Sequence, residues 1–170
     1  MLEAGHDLVV VDDLSTGDAQ RVSGAPLEVA SVLDEDAVRD VVRRHRVDGI
    51  VHLAGKKQVG ESVARPLHYY LENVEGLRRL LSVATTAGIS DVVFSSSAAV
   101  YGSPDVDLVT EDTPCRPVNP YGESKLVGEW MLADVARSGL RYAALRYFNV
   151  AGAGRPELAD TAVGNLVTQV

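Results

Sequence analysis

Residues 119–150, NPYGESKLVGEWMLADVARSGLRYAALRYFNV, contain a capped helix that runs directly into a strand. Asn119 suits the N-cap, Pro120 suits the first helical position, and Gly139 follows the predicted end of the helix. The remaining residues, 140–150, are predicted to form a strand. A helix that leads straight into a strand is the repeating unit of α/β folds, so this stretch indicates that class.

The same alternation extends over the rest of the chain. Strands are predicted at 7–13, 27–32, 49–55 and 91–97, and helices at 34–46 and 66–88. Strands separated by helices pair in parallel through right-handed crossovers. The predicted fold is therefore α/β, a doubly wound, Rossmann-like parallel sheet. The strands at 7–13 and 49–55 are expected to be buried on both faces.

The opening residues MLEAGH (1–6) are typical of the tail of a helix that ends at Gly5. In a dinucleotide-binding fold, a strand and a Gly-rich turn for the pyrophosphate precede such a helix. We therefore expect residues 1–150 to form a partial dinucleotide-binding domain that lacks the first strand and the Gly-rich loop. Residues 151–170 are expected to begin a substrate-binding region.

Composition argues against several classes of protein. The net charge is −8, and no cluster of Lys and Arg with interleaved aromatics offers a nucleic-acid surface. No apolar run is long enough to cross a membrane, and the first residues lack the features of a secretion signal. The single cysteine, Cys115, fits a reducing compartment and has no neighbouring His or Cys that would suggest a metal site. A cytoplasmic protein without membrane or nucleic-acid partners is expected.

Small and polar residues fall at the predicted carboxyl ends of strands, where doubly wound sheets bind their ligands. These residues are Asp12, Ala54, Gly55, Ser95–Ser97 and Tyr147–Asn149. Asp12 is a candidate to accept hydrogen bonds from an adenosine ribose, and its negative charge would favour NAD over NADP. The alternative is a solvated aspartate in the turn-rich stretch DDLSTGD (12–18).

Tyr121 and Lys125 lie four residues apart, so on a helix they share one face. An ammonium group beside a phenol stabilises the phenolate and lowers a pKa that is otherwise about 10. Such a tyrosine can take a proton from a substrate hydroxyl while hydride leaves the same carbon. Coincidence is the alternative, because this spacing alone is a weak motif. The hydroxyls of Ser95–Ser97 could assist the reacting oxygen, or simply satisfy the backbone at the strand end.

Four segments carry a family resemblance. SSSAAVYG (95–102), NPYGESK (119–125) and LRYFNVAGAG (145–154) together resemble the extended short-chain dehydrogenase/reductase superfamily. HLAGKKQVGESVARPLHYYLENVEG (52–76) narrows the resemblance to the UDP-glucose 4-epimerase family. The segments occur in the family's order, and the similarity covers nearly the whole chain before it fades after residue 154.

The resemblance implies an NAD-dependent interconversion of UDP-glucose and UDP-galactose through a 4-keto sugar. It implies that Tyr121 is the base, that Lys125 tunes it and contacts the nicotinamide ribose, and that Ser97 bridges to the sugar 4-hydroxyl. The implied cofactor-binding residues are Asp12, Asp13, Leu53, Ala54, Gly55, Lys57, Asn73, Ser95, Tyr121, Lys125 and Tyr147. The implied UDP-sugar-binding residues are Lys57, Ser97, Tyr121, Asn149 and Asn165.

The chain departs from the family's pattern at Ser31, where the family usually has an aspartate near the adenine. A second difference is that the sequence shows no counterpart of the family's Gly-rich loop.

The resemblance also implies a homodimer, because in this family the helices that correspond to 66–88 and 119–139 pair across the subunit interface. These helices carry apolar residues that we expect to lie beyond a single core-facing stripe. They are Leu77, Leu80, Leu81, Val127, Trp130 and Met131.

Two other functions stay open at this point. A nucleotide-sugar dehydratase of the same fold needs an acid beside the strand-end hydroxyl, where this chain has Ala98 and Ala99. A non-catalytic remnant acting as a binding module is the other. We expect the chain to be an incomplete, weakly active or inactive version of the enzyme, and inactivity is favoured if its 170 residues are the whole product.

Overall fold

The computed structural model of the chain describes residues 1–150, 152–154 and 158. The strands are β1 Val10–Asp12, β2 Leu27–Val29, β3 Gly49–His52, β4 Asp91–Ser97 and β5 Arg141–Tyr147. The helices are α1 Glu35–His45, α2 Val59–Ala64, α3 Pro66–Tyr69, α4 Gly76–Ala87 and α5 Pro120–Ala136, and a π-helical segment, Tyr70–Glu75, joins α3 to α4. Short 3₁₀ turns lie at Leu2–Ala4, Ala19–Arg21 and Ala98–Tyr101.

Every strand pairing within the described residues is parallel, as the alternation of strands and helices predicts. The described strands form two sheets: β1 pairs with β2 in one, and β4 lies between β3 and β5 in the other. The expectation that the strands at 7–13 and 49–55 are buried on both faces is wrong. Each has a paired neighbour on one side only within the described part of the chain, so β1 is half-buried and Val51 of β3 is 42% exposed.

The predicted helix over 66–88 is one continuous helical stretch made of α3, the π-helical segment and α4. It begins at Pro66, which suits a first helical position, and it is closed by Gly88 at φ 75°. A π-helical turn is wider than an α-helical one and is frequent at functional sites. Its presence here, and the short helix α2 before it, were not predicted from the sequence.

Helix α5 begins as its capping residues predict. The Asn119 side chain accepts a hydrogen bond from the amide of Gly122 at 2.9 Å, and Pro120 occupies the first helical position. The helix ends at Ala136, three residues before Gly139. Strand β4 covers the predicted residues 91–97 in full.

The hydrophobic core lies where β4, α1, α4 and α5 meet. Val92 and Phe94 of β4 pack with apolar residues from all three helices, including Val38 of α1 and Leu132 of α5. Leu77, Leu80 and Leu81 of α4 belong to the same cluster. The expectation that these three leucines lie beyond the core-facing stripe is therefore wrong, because the chain buries them against its own strand.

Within the part of the chain that the structure describes, no helix has the length and apolar character needed to cross a membrane.

Candidate active site

Lys125 reaches from α5 to the carboxyl end of β4. Its Nζ atom donates a hydrogen bond to the carbonyl oxygen of Ser95 at 2.9 Å, and the residue is only 6% exposed. The same atom lies 5.1 Å from the centroid of the Phe94 ring and 6.0 Å from that of the Tyr121 ring. Burial lowers the pKa of Lys125 to about 8. The predicted base and the predicted tuning charge are thus neighbours in the structure.

The first turn of α5 is pressed against the 3₁₀ turn that follows β4. A Cβ atom added to Gly122 would lie 2.6 Å from the carbonyl oxygen of Ala99, so only glycine fits there. Ser97 begins that turn, and its Oγ atom accepts a hydrogen bond from the amide of Ala99 at 3.2 Å. This packing brings Ser97 and Tyr121 to the same end of β4, and Ser97 also lies opposite Tyr147 in the β4–β5 ladder.

The backbone just after β3 approaches Lys125 closely. Gly55 has φ +141°, and a Cβ atom added to it would lie 2.8 Å from Oδ1 of Asn73 and 3.7 Å from Nζ of Lys125. Leu53 and Ala54 precede it and are exposed. The structure therefore brings together the predicted residues Gly55, Asn73 and Lys125, and position 55 needs glycine because Asn73 occupies the space that a side chain would take.

Asn73 lies in the π-helical segment and is bonded entirely to protein groups near the site. Its Oδ1 atom accepts from the amide of Lys56 at 2.7 Å. Its Nδ2 atom donates to the carbonyl of Lys56 and to Oγ of Ser124, both at 3.0 Å. Lys57, the next residue of that loop, is exposed. Asn73 thus joins the loop after β3 to helix α5.

Asp12 is the last residue of β1 and Asp13 follows it, and both side chains organise the loop after the strand. Oδ1 of Asp12 accepts from the amide of Leu14 at 2.7 Å, and Oδ1 of Asp13 accepts from the amide of Ser15 at 2.9 Å. The hydrogen bonds from Ser15, with the charge of Lys56, lower the pKa of Asp13. The turn role and the ribose role of Asp12 are compatible, because a carboxylate offers about four lone-pair sites.

A lysine side chain connects the two strand ends. Nζ of Lys56 donates to Oγ of Ser15 at 3.0 Å, which links the loop after β3 to the loop after β1. Hydrogen bonds therefore connect the loop after β1 to the loop after β3, and Asn73 connects the loop after β3 to α5.

The other predicted site residues lie further from the contacts around Lys125 and Asn73, or outside the described residues. Tyr147 and Asn149 lie at and just beyond the end of β5 and are exposed. Ser31 is half-buried, and its Oγ atom accepts from the amide of Leu33 at 3.1 Å. Asn165 lies outside the described residues.

The sequence interpretation missed a buried polar network on the core side of β4. Ser96 donates to Oε1 of Glu129 at 2.5 Å, and Arg146 makes a two-pronged ion pair with the same carboxylate, with its closest contact at 2.7 Å. Arg146 also donates to the hydroxyl of Tyr101 at 2.9 Å and to the carbonyl of Glu111 at 3.1 Å. One signal was available: Glu129 follows Lys125 by four residues, which puts both charges on one helix face.

His52 and Tyr69 were also missed. The ring of His52 stacks on Phe94 with centroids 5.9 Å apart, and burial, together with the charge of Lys125, lowers the pKa of His52 to about 3. His52 is therefore neutral at physiological pH. Tyr69 is fully buried and meets the ring of Tyr121 edge-on, with centroids 6.4 Å apart. No local sequence signal marks either contact, since both join segments distant in the chain.

Proteins of known function are similar to this chain in sequence and in structure. A UDP-glucose 4-epimerase from Azospirillum brasilense is 47% identical over 155 residues, which cover 90% of this chain and 44% of that protein. A crystal structure of UDP-glucose 4-epimerase from Brucella ovis in complex with NAD matches with a TM-score of 0.87 and 39% identity, covering 89% of this chain and 47% of that one. The enzyme from Thermotoga maritima, solved with UDP-glucose, matches with a TM-score of 0.85 and 32% identity over 89% of this chain and 50% of that one.

The chain spans about half the length of these relatives, since its matches cover 44% to 50% of them. The NAD dependent epimerase/dehydratase family matches residues 1–170 of the chain. That match leaves no part of the sequence outside the family's pattern, and we conclude that the chain belongs to the NAD dependent epimerase/dehydratase family.

Proposed function

We propose that the protein interconverts UDP-glucose and UDP-galactose by oxidation and re-reduction at C4 of the sugar, with NAD as its cofactor. One observation carries the proposal: the buried ammonium of Lys125 is held by the Ser95 carbonyl between the rings of Phe94 and Tyr121. A positive charge fixed beside a phenol favours the phenolate, which is the form that accepts a proton. The similarity to UDP-glucose 4-epimerases supports the choice of substrate.

Tyr121 takes the proton of the sugar 4-hydroxyl and later returns it. Lys125 stabilises the phenolate during this exchange, because burial keeps water from screening its charge. Ser97, at the start of the turn that α5 packs against, hydrogen-bonds the 4-oxygen and aligns it with Tyr121. NAD, when bound, supplies the acceptor and donor of the C4 hydride. The sugar passes through a 4-keto form between the two proton transfers.

The described residues fit a dinucleotide along the carboxyl ends of the strands. Lys125 and the exposed residues Leu53 and Ala54 lie at these strand ends, and the carboxylate of Asp12 is a natural acceptor for ribose hydroxyls. The cofactor-binding residues in this proposal are Asp12, Asp13, Leu53, Ala54, Gly55, Lys57, Ser95, Tyr121, Lys125 and Tyr147, with Asn73 beside them. Lys57, Ser97, Tyr121, Asn149 and Asn165 are assigned to the UDP-sugar.

An assay with UDP-galactose, read out as UDP-glucose formed, tests the proposal. Tyr121→Phe keeps the ring but removes the proton acceptor, so turnover should fall by roughly 10²–10⁴-fold while NAD and UDP-sugar stay bound. Tyr142→Phe is the matched control and should keep wild-type activity, because Tyr142 lies near the start of β5, opposite Val92.

Two results would contradict the proposal. If Tyr121→Phe kept more than about a tenth of the wild-type activity, the base would lie elsewhere. If the wild-type protein bound UDP-sugars without converting them, a non-catalytic binding module would be the better description.

The proposed enzyme is a homodimer that pairs through the helices at 66–88 and 119–139. Helices α4 and α5 lie side by side, and the partly buried Met131 and Val135 contribute to an open groove between them. Trp130 of α5 is 59% exposed, which is unusual for a large aromatic residue on a monomer.

Analytical ultracentrifugation at micromolar concentration tests the dimer. The wild-type protein should sediment as a dimer, and Trp130→Glu should shift it to monomer, since a charge replaces an apolar side chain at the interface. Leu108→Glu, a change of equal kind at an exposed loop residue, should leave the dimer intact. A well-folded wild-type monomer would contradict this assignment.

A further inference from the structure

Tyr69 and Asn73 lie four residues apart where α3 continues into the π-helical segment, and both are buried, at 0% and 4% exposure. The hydroxyl of Tyr69 accepts from the amide of Gln58 at 2.8 Å, and its one proton faces two acceptors, the carbonyl of Gln58 at 2.7 Å and Oε2 of Glu61 at 3.1 Å. Asn73 makes the same pair of contacts with the amide and carbonyl of Lys56. Asn73 therefore bonds both the amide and the carbonyl of Lys56, and Tyr69 does the same for Gln58, two residues further along the same loop.

The same two residues also touch the start of α5. The Tyr69 ring meets the Tyr121 ring edge-on at a centroid separation of 6.4 Å. Asn73 donates to Oγ of Ser124, and Ser124 in turn donates to the backbone carbonyl of Tyr121 at 2.7 Å. Tyr69 thus contacts the ring of Tyr121 directly, and Asn73 is linked to the Tyr121 carbonyl through Ser124.

We infer that Tyr69 and Asn73 are positioning residues that hold the loop 56–58 and the first turn of α5 at a set separation. The inference rests on the proposed function, in which Lys57 and Tyr121 act on the same UDP-sugar from these two segments. Asn73 then serves the site through Lys56 and Ser124, since both hydrogens of its amide group are already donated to protein atoms.

Fixed separation matters for this chemistry because reacting groups must meet within a few tenths of an ångström, and a displacement of about 1 Å can cost roughly 10²-fold in rate. A loop held only by exposed backbone would move on a much faster timescale than the chemistry. The π-helical turn widens the helix between Tyr69 and α4, and the side chain of Asn73 projects from that wider turn toward Lys56.

Amide hydrogen exchange followed by NMR tests the contacts without any need for activity. Tyr69→Phe removes only the hydroxyl, so the Gln58 amide should exchange roughly 3- to 10-fold faster, in line with the loss of one hydrogen bond. The Lys56 amide should be unchanged, because Asn73 still holds it. Tyr70→Phe is the matched control: the Tyr70 hydroxyl donates to Glu123, outside the loop, so Gln58 should exchange as in the wild type.

Steady-state kinetics test the positioning role. Tyr69→Phe should mainly raise KM for UDP-galactose, because it loosens the loop that carries Lys57 while the Tyr121 ring keeps its packing. Ser124→Ala should mainly lower kcat, because it cuts the link between Asn73 and Tyr121 and leaves the loop in place. A substitution that only destabilised the fold would lower the amount of folded protein. KM, and kcat per folded molecule, would then stay unchanged.

Unchanged Gln58 exchange in Tyr69→Phe would overturn the inference. So would faster exchange with KM and kcat both unaltered, since the loop would then be held without any consequence for the site. If the wild-type protein lacked epimerase activity, the proposed function would fall, and the exchange data would still decide whether the two side chains hold the loop.

Discussion

At the scale of single residues, Lys125 shows what burial does to a charge. Among the residues that the structure describes, its ammonium group has one hydrogen-bond acceptor, the Ser95 carbonyl, and two aromatic ring faces nearby. These neighbours do not replace the hydration that the group has in the unfolded chain, and its pKa falls from 10.5 to about 8 as a result. The residue therefore lowers stability at neutral pH while it serves the proposed chemistry.

The sign of this effect leads to a prediction about stability and pH. Between about pH 8 and 10.5 the unfolded chain binds the Lys125 proton more tightly than the folded chain, so this residue makes stability rise with pH over that window. Lys125→Met should remove the rise, which is on the order of 3 kcal/mol for a shift of this size. Urea unfolding of both proteins at about pH 7 and about pH 10.5 measures it.

Lys57→Met is the control for that experiment, because the side chain of Lys57 is exposed. The free energy of unfolding of this variant should change with pH as that of the wild type does. The free energy of unfolding of the wild type can be compared with that of Lys125→Met at both pH values. If the difference between the two proteins were the same at both, burial of the Lys125 charge would not destabilise the folded protein.

At the scale of secondary-structure elements, the position of α5 decides the site. The helix carries Tyr121 and Lys125, and its first turn sits against the carbonyl of Ala99 with no room for a side chain at Gly122. Asn119 holds the same end by capping it. The direction in which Tyr121 points thus depends on close backbone contact between a helix and a 3₁₀ turn.

Gly122→Ala should therefore damage both stability and activity. The new Cβ would lie 2.6 Å from a backbone oxygen, which cannot move aside as a flexible side chain can. We expect a loss of about 1–3 kcal/mol in the free energy of unfolding, as in other overpacked sites. Denaturant unfolding and the epimerase assay together measure the effect.

Gly60→Ala is the matched control in helix α2. An added Cβ there meets nothing within 4 Å, so the substitution should be neutral or stabilising by up to about 1 kcal/mol. If Gly122→Ala behaved like Gly60→Ala, the close packing of α5 on the turn would be unimportant.

At the scale of the whole molecule, one buried ion pair joins the parts that form the site. Arg146 of β5 pairs with Glu129 of α5, which also accepts from Ser96 of β4. Arg146 further holds the carbonyl of Glu111, in the long connection between β4 and α5. Two strands, a helix and a loop are therefore held together through one carboxylate and one guanidinium group.

Arg146→Ala should destabilise the protein by about 3–5 kcal/mol, because it leaves the Glu129 carboxylate buried without its partner. Chemical denaturation at neutral pH measures the loss. Arg141→Ala is the control: its two-pronged pair with Asp91 lies on the surface, where salt bridges contribute little. Equal effects of the two substitutions would show that the buried pair has no special importance.

Much of the secondary structure was predictable because its signals are local. The cap at Asn119, the proline at 120 and the β-branched run of β4 act within a few residues, and the structure agrees with each. Alternation of strands and helices likewise determined the parallel pairing. The spacing of Tyr121 and Lys125 placed both on one face of α5, but a four-residue spacing carries no information on what that face meets.

Only the tertiary structure decided the properties that depend on neighbours distant in sequence. Leu77, Leu80 and Leu81 were interpreted as interface residues, but they fill the core because β4 lies against α4. The lowered pKa of Lys125 and the bonds of Asn73 to Lys56 and Ser124 arise from segments many residues apart. Burial and long-range hydrogen bonding are properties of the packed chain, and a linear pattern specifies them only through the fold.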